Sequence, residues 1–528
     1  MSDLVLDIGI AADICLERGT HFAAALAAFE KAKTEGARIW LYTGSVQALQ
    51  YVLANRLRRT SYSEQTLSLS QSHELARRLI GRFSESVHWL AALAEDGLVF
   101  DQSSPEDAQL VRAVARLGEH ALLLTRNEAL LKTCPQAVSP QSYLERPRSD
   151  RSIEFIDLRS QQDAIRPGIE QSVHRVLHHS GYILGLEVEI LEKRLAEYVG
   201  AEHCLAVSSG TDALLLALMA KNIGPGDAVF IPAFTFVATA EMVVLLRATP
   251  IFVDIDADSY LIDIQSLEGA VVAAKAHGLT PRAIIPVDLF GQPAPYEAIQ
   301  KLADTTDLWV LADAAQSFGA SRFGKRVGSL APITATSFFP SKPLGGYGDG
   351  GAIFTDDIAL AHHLYSLRVH GQGRDGYENV NIGINGRLDT LQAAILLEKL
   401  KIFDAEIRAR QRIAERYHQG LKDVTVTPVV ADGSTSVWAQ YTIRIRDRDP
   451  IATALKKQGI PTAVYYPIPL HRQSAYERFP HATGGLEVSE RLAGEVLSLP
   501  IHPYLEEVIQ DTIITAVRKA IIDAGCGW

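Results

Sequence analysis

Cysteine is scarce in this chain: four occur in 528 residues, at positions 15, 134, 204 and 526. A disulfide framework needs a denser set, and no pair has the spacing of metal ligands. Long hydrophobic runs are missing too. The longest, such as MVVLL before Arg247, fall far short of the roughly 20 apolar residues that cross a bilayer. The opening stretch, MSDLVLDIGIAADICL, has no basic leader, and Asp3, Asp7 and Asp13 interrupt it, so it does not read as a signal peptide. Positive charge is in deficit as well. With 51 Lys and Arg against 62 Asp and Glu the net charge is −11, which argues against nucleic acid as the main partner, because phosphate binding needs a basic surface. No internal repeat stands out, and 47% hydrophobic with 21% charged residues is ordinary globular composition. What is left is a folded protein expected in a reducing cytoplasm, with no membrane contact.

The length exceeds one compact core, and at about 150 residues per domain two to four domains are expected. A charged, proline-containing seam, ERPRSDRS at 145–152, separates two apolar-patterned regions. Upstream, LVLD (4–7) and HALLLT (120–125) read as short strands with helical segments between them, hence a small α/β domain over 1–144. Downstream, strand-length apolar runs alternate with helical stretches: CLAVSS (204–209), AVFIP (228–232), IFVDI (251–255), AIIPV (283–287), LWVLAD (308–313), TATSFF (334–339) and GAIFT (351–355). Runs this continuous suit strands buried on both faces, so a largely parallel sheet between helices is expected over 153–386. From 387 a long helical pattern, RLDTLQAAILLEKLKIFDAEIRARQRIAERY, leads into a smaller C-terminal domain ending at 528. Leu391, Ala394, Ile395, Leu396 and Leu397 leave little polar face near its start, so that part should be buried, in the core or against a second subunit.

Three segments carry candidate chemistry. In SSGTDALLLAL (208–218) a strand end turns through Gly210 into a helix, whose free N–H groups and positive dipole suit a phosphate. Ser209, Thr211 and Asp212 serve equally well there as plain helix caps. In LWVLADAAQSFGA (308–320), Asp313 leaves an apolar strand at its C-terminal end, where open α/β sheets place ligands. A carboxylate there needs a cationic partner, and a protonated pyridine nitrogen would serve. A capping role is the alternative. In TSFFPSKPLGGYGDGGAIFT (336–355), Lys342 lies in a glycine-rich connection after Ser337 and two aromatics. A desolvated lysine loses its proton readily and forms Schiff bases, whereas a lone lysine in a flexible loop would do neither.

SFFPSKPLGGYGDGGA closely resembles the lysine motif of the DegT/DnrJ/StrS-type sugar aminotransferases, of the fold-type-I pyridoxal-phosphate (PLP) class. IDLRSQ (156–161), GYILGLEVEILEKRLAEYVGA (181–201), SSGTDAL, IPAFTFVATA (231–240), ADAAQSFGA and GINGRLDTLQAA (383–394) fall into the family's order, so the resemblance covers roughly 153–528. It implies a large, mostly parallel seven-stranded PLP-binding domain and a small C-terminal α/β domain. It also implies that Lys342 carries the cofactor and moves protons, that Asp313 faces the pyridine nitrogen, and that Gln316 lies near the ring hydroxyl. Phe236 would stack on the ring, and Gly210, Thr211 and Ser337 would form the phosphate cup. Asn385 would reach the phosphate of a neighbouring subunit, which implies a homodimer with shared sites. The amino donor would be glutamate and the acceptor a nucleotide-linked keto-sugar. The tail SVWAQYTIRIRDR (436–448) with GIPTAVYYPIPLH (459–471) looks most like the branch aminating UDP-2-acetamido-3-oxo-glucuronate for surface polysaccharides. There, residues matching Arg387, Tyr465 and Tyr466 lie by the substrate, although Arg387 recurs across the wider family and Tyr465 stands where the branch often has histidine. PMP-dependent dehydratases of the same family carry histidine in place of Lys342.

Residues 1–144 resemble a PIN domain, the fold of many Mg²⁺-dependent ribonucleases, through VLDIGIAADICLERG, LYTGSVQALQYVL (41–53) and EDAQLVRAVARLGEHALLLTRNEALL (106–131). Asp7 and Asp107 match metal-binding carboxylates, but Gln47 stands where glutamate is usual and Asn127 where aspartate is. Two amides in place of two carboxylates weaken binding of a hard divalent ion, so the resemblance implies a degenerate, metal-free scaffold or partner-binding module. The rival reading is a regulatory or RNA-binding protein in which this segment sets the function and the PLP domain senses a metabolite.

Overall fold

A computed structural model describes residues 3–525 apart from 17–20, 35–36, 43–45, 60–68, 85–86, 91–104, 118–120, 146–152 and 374–375. The chain divides into two compact units, Met1–Arg151 and Ser152–Trp528.

The first unit is built on a five-stranded parallel sheet. Its order is His88–Leu90, Arg38–Tyr42, Asp3–Leu6, Leu122–Leu124, Ala137–Val138. The central strand, DLVL, is buried along its whole length, as an all-parallel sheet covered on both faces requires. Ile10, Ala28, Phe29, Leu49 and Leu53 from the flanking helices close over one face. Two of these strands are legible as apolar runs. Arg38–Tyr42, RIWLY, carries four apolar or aromatic residues after one charge, whereas His88–Leu90 and Ala137–Val138, at three and two residues, are too short to show a pattern.

The second unit centres on a seven-stranded sheet, ordered His203–Val207, Gly351–Thr355, Ile333–Ser337, Trp309–Asp313, Thr280–Ile284, Asp227–Pro232, Thr249–Val253. All seven expected strands are present. Gly351–Thr355 alone runs antiparallel to its neighbours, so the sheet is mixed, with six strands pointing one way. The run AIIPV is displaced relative to its strand, which begins at Thr280 and ends at Ile284. Pro286 lacks the N–H that would continue the ladder, and its carbonyl instead accepts the Asp313 N–H at 2.9 Å. Under the sheet lies the helix Gly210–Ala220, GTDALLLALMA. It is apolar nearly all round and packs on Ile333, Ala335 and Ile353.

The long helix occupies Thr390–Leu421. Ala394, Ile395 and Leu396 are buried near its start, where it packs on the helices Leu158–His179 and Leu186–Val199. Farther along, Tyr417 and Leu421 enter a second core with Tyr441, Ile443, Leu497, Leu499 and Val517. That core surrounds the antiparallel pair Tyr441–Arg444 and Val496–Leu499. One helix thus ties the C-terminal part to the sheet. Among the described residues, no helix is long and apolar enough to cross a membrane.

Candidate active site

Asp313 closes the strand Trp309–Asp313, whose last four residues are buried, and is itself 6% exposed. Its backbone is fixed on both sides: the N–H donates to Pro286 and the carbonyl accepts the Asp288 N–H at 3.0 Å. Its carboxylate has neutral donors, the Thr239 hydroxyl at 2.8 Å on Oδ2 and the Ala315 N–H at 3.2 Å on Oδ1. Burial pushes this carboxyl up from the ordinary aspartate range, against the pull of Thr239, Ala315 and the charge of Lys342. The same burial pulls the Lys342 ammonium down, against the attraction of Asp313. Both shifts favour loss of charge, so the pair sits where an amine is readily freed and where the carboxylate gains from a further cation.

Lys342 stands in a loop folded tightly on itself. Its N–H donates to the Phe339 carbonyl (2.8 Å), while Gly346 N–H donates to Phe338 (2.8 Å) and Phe338 N–H to Gly350 (2.7 Å). A Cβ on Gly345 would lie 2.4 Å from the Pro340 carbonyl oxygen, so no other residue fits there. The Tyr347 N–H donates to Gln392 Oε1 on the long helix (2.8 Å), which fixes the far side of the loop.

The cap reading of SSGTD is correct for two residues. Ser209 is the N-cap, accepting the Asp212 N–H at 3.0 Å, and the Asp212 carboxylate accepts the hydroxyls of Ser208 and Ser209. Gly210 and Thr211 form the first turn, where amide N–H groups have no acceptor within the helix. A Cβ on Gly210 would stand 2.6 Å from Ser337 Cβ. The glycine therefore lets the helix N-terminus meet the strand end that carries Ser337, and the three residues expected to form a phosphate cup come together.

Gln316 is buried; its Oε1 accepts the Phe290 N–H (2.8 Å) and its Nε2 donates to the Tyr466 hydroxyl (3.3 Å). Burial pushes the Tyr466 phenol above its usual range. Phe236 presents an exposed ring 6.5 Å from that of Tyr466. Tyr465 lies 5.8 Å from Tyr466 and 6.4 Å from Phe155, centroid to centroid. Asn385 and Arg387 are placed differently. Asn385 is exposed. Arg387 lines a groove with Ile183, Leu184, Val369, His370, Gln372 and Asn379, a lining that contains none of Lys342, Asp313 and Gln316.

Sequence reasoning passed over Thr239, Asp288 and Phe155. Asp288 is fully buried and accepts from Ala294 N–H, Tyr296 hydroxyl and Ser317 hydroxyl at 2.7–2.8 Å. Desolvation raises its pKa to about 7 despite those donors.

A lysine and a carboxylate converging at the strand ends of a sheet of this order, beside a helix N-terminus, are the arrangement of a PLP-dependent aminotransferase. The comparisons with known proteins agree. Residues 163–518 match the DegT/DnrJ/EryC1/StrS aminotransferase family. The UDP-2-acetamido-2-deoxy-3-oxo-D-glucuronate aminotransferase of Pseudomonas aeruginosa is 51% identical over 370 residues, 70% of this chain and 100% of that protein. The crystal structure of a DegT/DnrJ/EryC1/StrS aminotransferase from Brucella abortus superposes with a TM-score of 0.69 at 50% identity, covering 69% of this chain and 98% of that one. DesV of S. venezuelae, solved in complex with a ketimine intermediate, gives a TM-score of 0.67 at 37% identity, covering 70% of this chain and 98% of that one. The chain belongs to the DegT/DnrJ/EryC1/StrS family and is a PLP-dependent sugar aminotransferase.

Proposed function

We propose that this enzyme transfers the amino group of glutamate to C3 of UDP-2-acetamido-2-deoxy-3-oxo-glucuronate, for surface polysaccharide synthesis. The observation that carries the reading is 51% identity over the whole length of a relative named for that substrate. The residues present fit PLP. Asp313, a buried carboxylate with only neutral hydrogen-bond donors, suits a cationic ring N–H. The first turn at Gly210 and Thr211, with Ser337 against it, suits the phosphate, and Phe236 offers a ring face. When bound, PLP supplies an electron-withdrawing ring and a carbonyl carbon that accepts and releases nitrogen. In this reading Lys342 holds the cofactor through Nζ. As a free amine, the same Nζ would take the proton from the donor's α-carbon, a task its lowered pKa favours. Asp313 would keep the ring nitrogen protonated, and Gln316, held by Phe290 N–H and Tyr466, would lie toward the ring hydroxyl.

Arg387, Tyr465 and Tyr466 are assigned to the sugar. A guanidinium suits a uronate carboxylate, which it can hold through two hydrogen bonds. Given UDP-linked 3-keto-sugars that differ only in a carboxylate or a hydroxymethyl group, the enzyme should prefer the uronate by about 10²-fold in kcat/KM. Arg387→Leu should erase that preference. Mass spectrometry of the aminated products checks both, and equal rates on the two sugars would rule out the uronate assignment.

The groove at Arg387 and the exposed Asn385 belong, in this reading, to the site of a second subunit in a homodimer with shared sites. Mixing Lys342→Ala with Asn385→Ala chains should then restore about a quarter of wild-type turnover, because half of randomly assorted dimers are mixed and each holds one intact site. No recovery in mixed dimers shown to form would place Asn385 in its own subunit's site.

Residues 1–144 are assigned to a PIN-like, non-nucleolytic module, joined through 145–152 to the PLP-binding part (153–386) and the C-terminal part (387–528). The five-stranded parallel sheet supports this. So does the use of its polar groups: Asp13 is taken by Arg56 (2.8 Å) and Arg126 (2.6 Å), and Asn127 caps the helix Glu128–Thr133. Asp7 accepts the Thr125 hydroxyl and the Gly9 N–H. The side chains of Gln47 and Asp107 lie outside the described residues. A chain starting near Ser152 should retain aminotransferase activity, and the full-length protein should leave single-stranded RNA intact with Mg²⁺ or Mn²⁺. RNA cleavage abolished by Asp7→Ala would favour the RNA-directed reading instead.

A further inference from the structure

We infer that Thr239 is the residue that keeps Asp313 ionised and aimed, and so sets how firmly the enzyme holds its cofactor. The inference rests on the assignment of Asp313 to the ring nitrogen. Thr239 lies in the first turn of the helix Ala238–Leu245 and is 1% exposed. A threonine in a helix commonly bonds a carbonyl of the preceding turn. Here the hydroxyl goes instead to Asp313 Oδ2 at 2.8 Å, across 74 residues of sequence. An ionised carboxylate has no proton to give, so Thr239 must be the donor. Its oxygen can accept in turn from Thr235, whose buried hydroxyl stands 3.5 Å away.

The alternatives for Oδ2 are few. The groups around Asp313 that carry or can carry charge are Lys342, Asp288, Tyr296 and Tyr466. Asp288 accepts from Ala294, Tyr296 and Ser317, so Tyr296 donates there, and the Tyr466 hydroxyl accepts from Gln316; the hydrogen bonds to the Asp313 carboxylate come from Thr239 and Ala315. Lys342 is the residue assigned to the cofactor itself. Thr239 is therefore the side-chain hydrogen bond that belongs to the carboxylate when the lysine is engaged. Without that donor, a carboxyl in so buried a place takes up a proton at higher pH, and a neutral acid no longer attracts a ring cation. Thr239 acts through Asp313 and is a positioning residue.

The test compares Thr239→Val, Thr239→Ser and Asp313→Asn. PLP itself is titrated into each apoenzyme and its dissociation constant read from absorbance between pH 5 and 9, windows chosen to be on the order of two units either side of neutrality. Loss of a hydrogen bond to a charged group predicts about tenfold weaker binding in Thr239→Val and an acid limb moved up by about one pH unit. Thr239→Ser keeps the hydroxyl and should restore both, although it loses the methyl group that packing would need. Wild-type affinity and an unmoved limb in Thr239→Val, with Asp313→Asn impaired, would overturn the role of Thr239 alone. A valine variant that binds normally while serine is impaired would reduce Thr239 to packing. Unchanged binding and turnover in Asp313→Asn would remove the assignment on which the inference rests.

Discussion

Lys342→Ala should abolish turnover, by about 10³-fold or more, since one side chain both tethers the cofactor and moves its protons. The yellow absorbance of lysine-bound PLP should vanish with it. The fold should survive, because Lys342 is half-buried at the edge of the site rather than in a core cluster. Its loop is held by backbone hydrogen bonds at Phe338, Phe339 and Gly350 and by Gln392, none of which needs the lysine side chain. An absorbance titration with PLP and a glutamate half-reaction assay check both parts. Normal turnover in the alanine variant would remove Lys342 from the chemistry.

Asp313→Asn should still bind PLP, though about tenfold or more weakly, and should lose activity on the order of 10³-fold. Asparagine preserves shape but not charge, so the ring nitrogen would no longer be held protonated and its electron-withdrawing power would fall. The variant should fold, since the backbone bonds to Pro286 and Asp288 do not involve the side chain. Its amide can still accept from Thr239 through oxygen. Steady-state turnover with glutamate, alongside the PLP titration, separates lost chemistry from lost binding. Turnover near wild type would rule out the role given to Asp313.

Much of this site is legible in the sequence because its parts stand at the ends of strands that are themselves legible. WVLA is a continuous apolar run, so the charged residue at its end is conspicuous, and Asp313 is found that way. The expected strand at 283–287 illustrates the opposite. The continuous ladder ends at Ile284, and past Pro286 only an isolated bridge, Val287 to Asp313, keeps the run beside its neighbour. Thr239 was invisible because its meaning lies in a contact 74 residues away, in a segment where threonine looks like ordinary helix-start chemistry. Asp288 hides in VDLFGQP, where an aspartate before a glycine turn reads as a loop residue. Phe155 sits in the short lead-in IEFIDL, too brief to show periodicity, and only folding brings its ring near Tyr465. Asn385 and Arg387 belong to a segment whose proposed target is another copy of the chain. In the first unit, strands of two and three residues carry too little pattern to stand out.

Borohydride reduction of the PLP-loaded, full-length enzyme, followed by peptide mass mapping, tests the central assignment most directly. Reduction converts the cofactor's bond to its lysine into a stable secondary amine, and addition of glutamate beforehand should protect against the label by freeing the lysine. The account predicts a single pyridoxyl-modified peptide, spanning SFFPSKPLGGYGDGGA, with the modification on Lys342 and lost after glutamate treatment. A pyridoxyl group on any other lysine, with Lys342 unmodified, would contradict it.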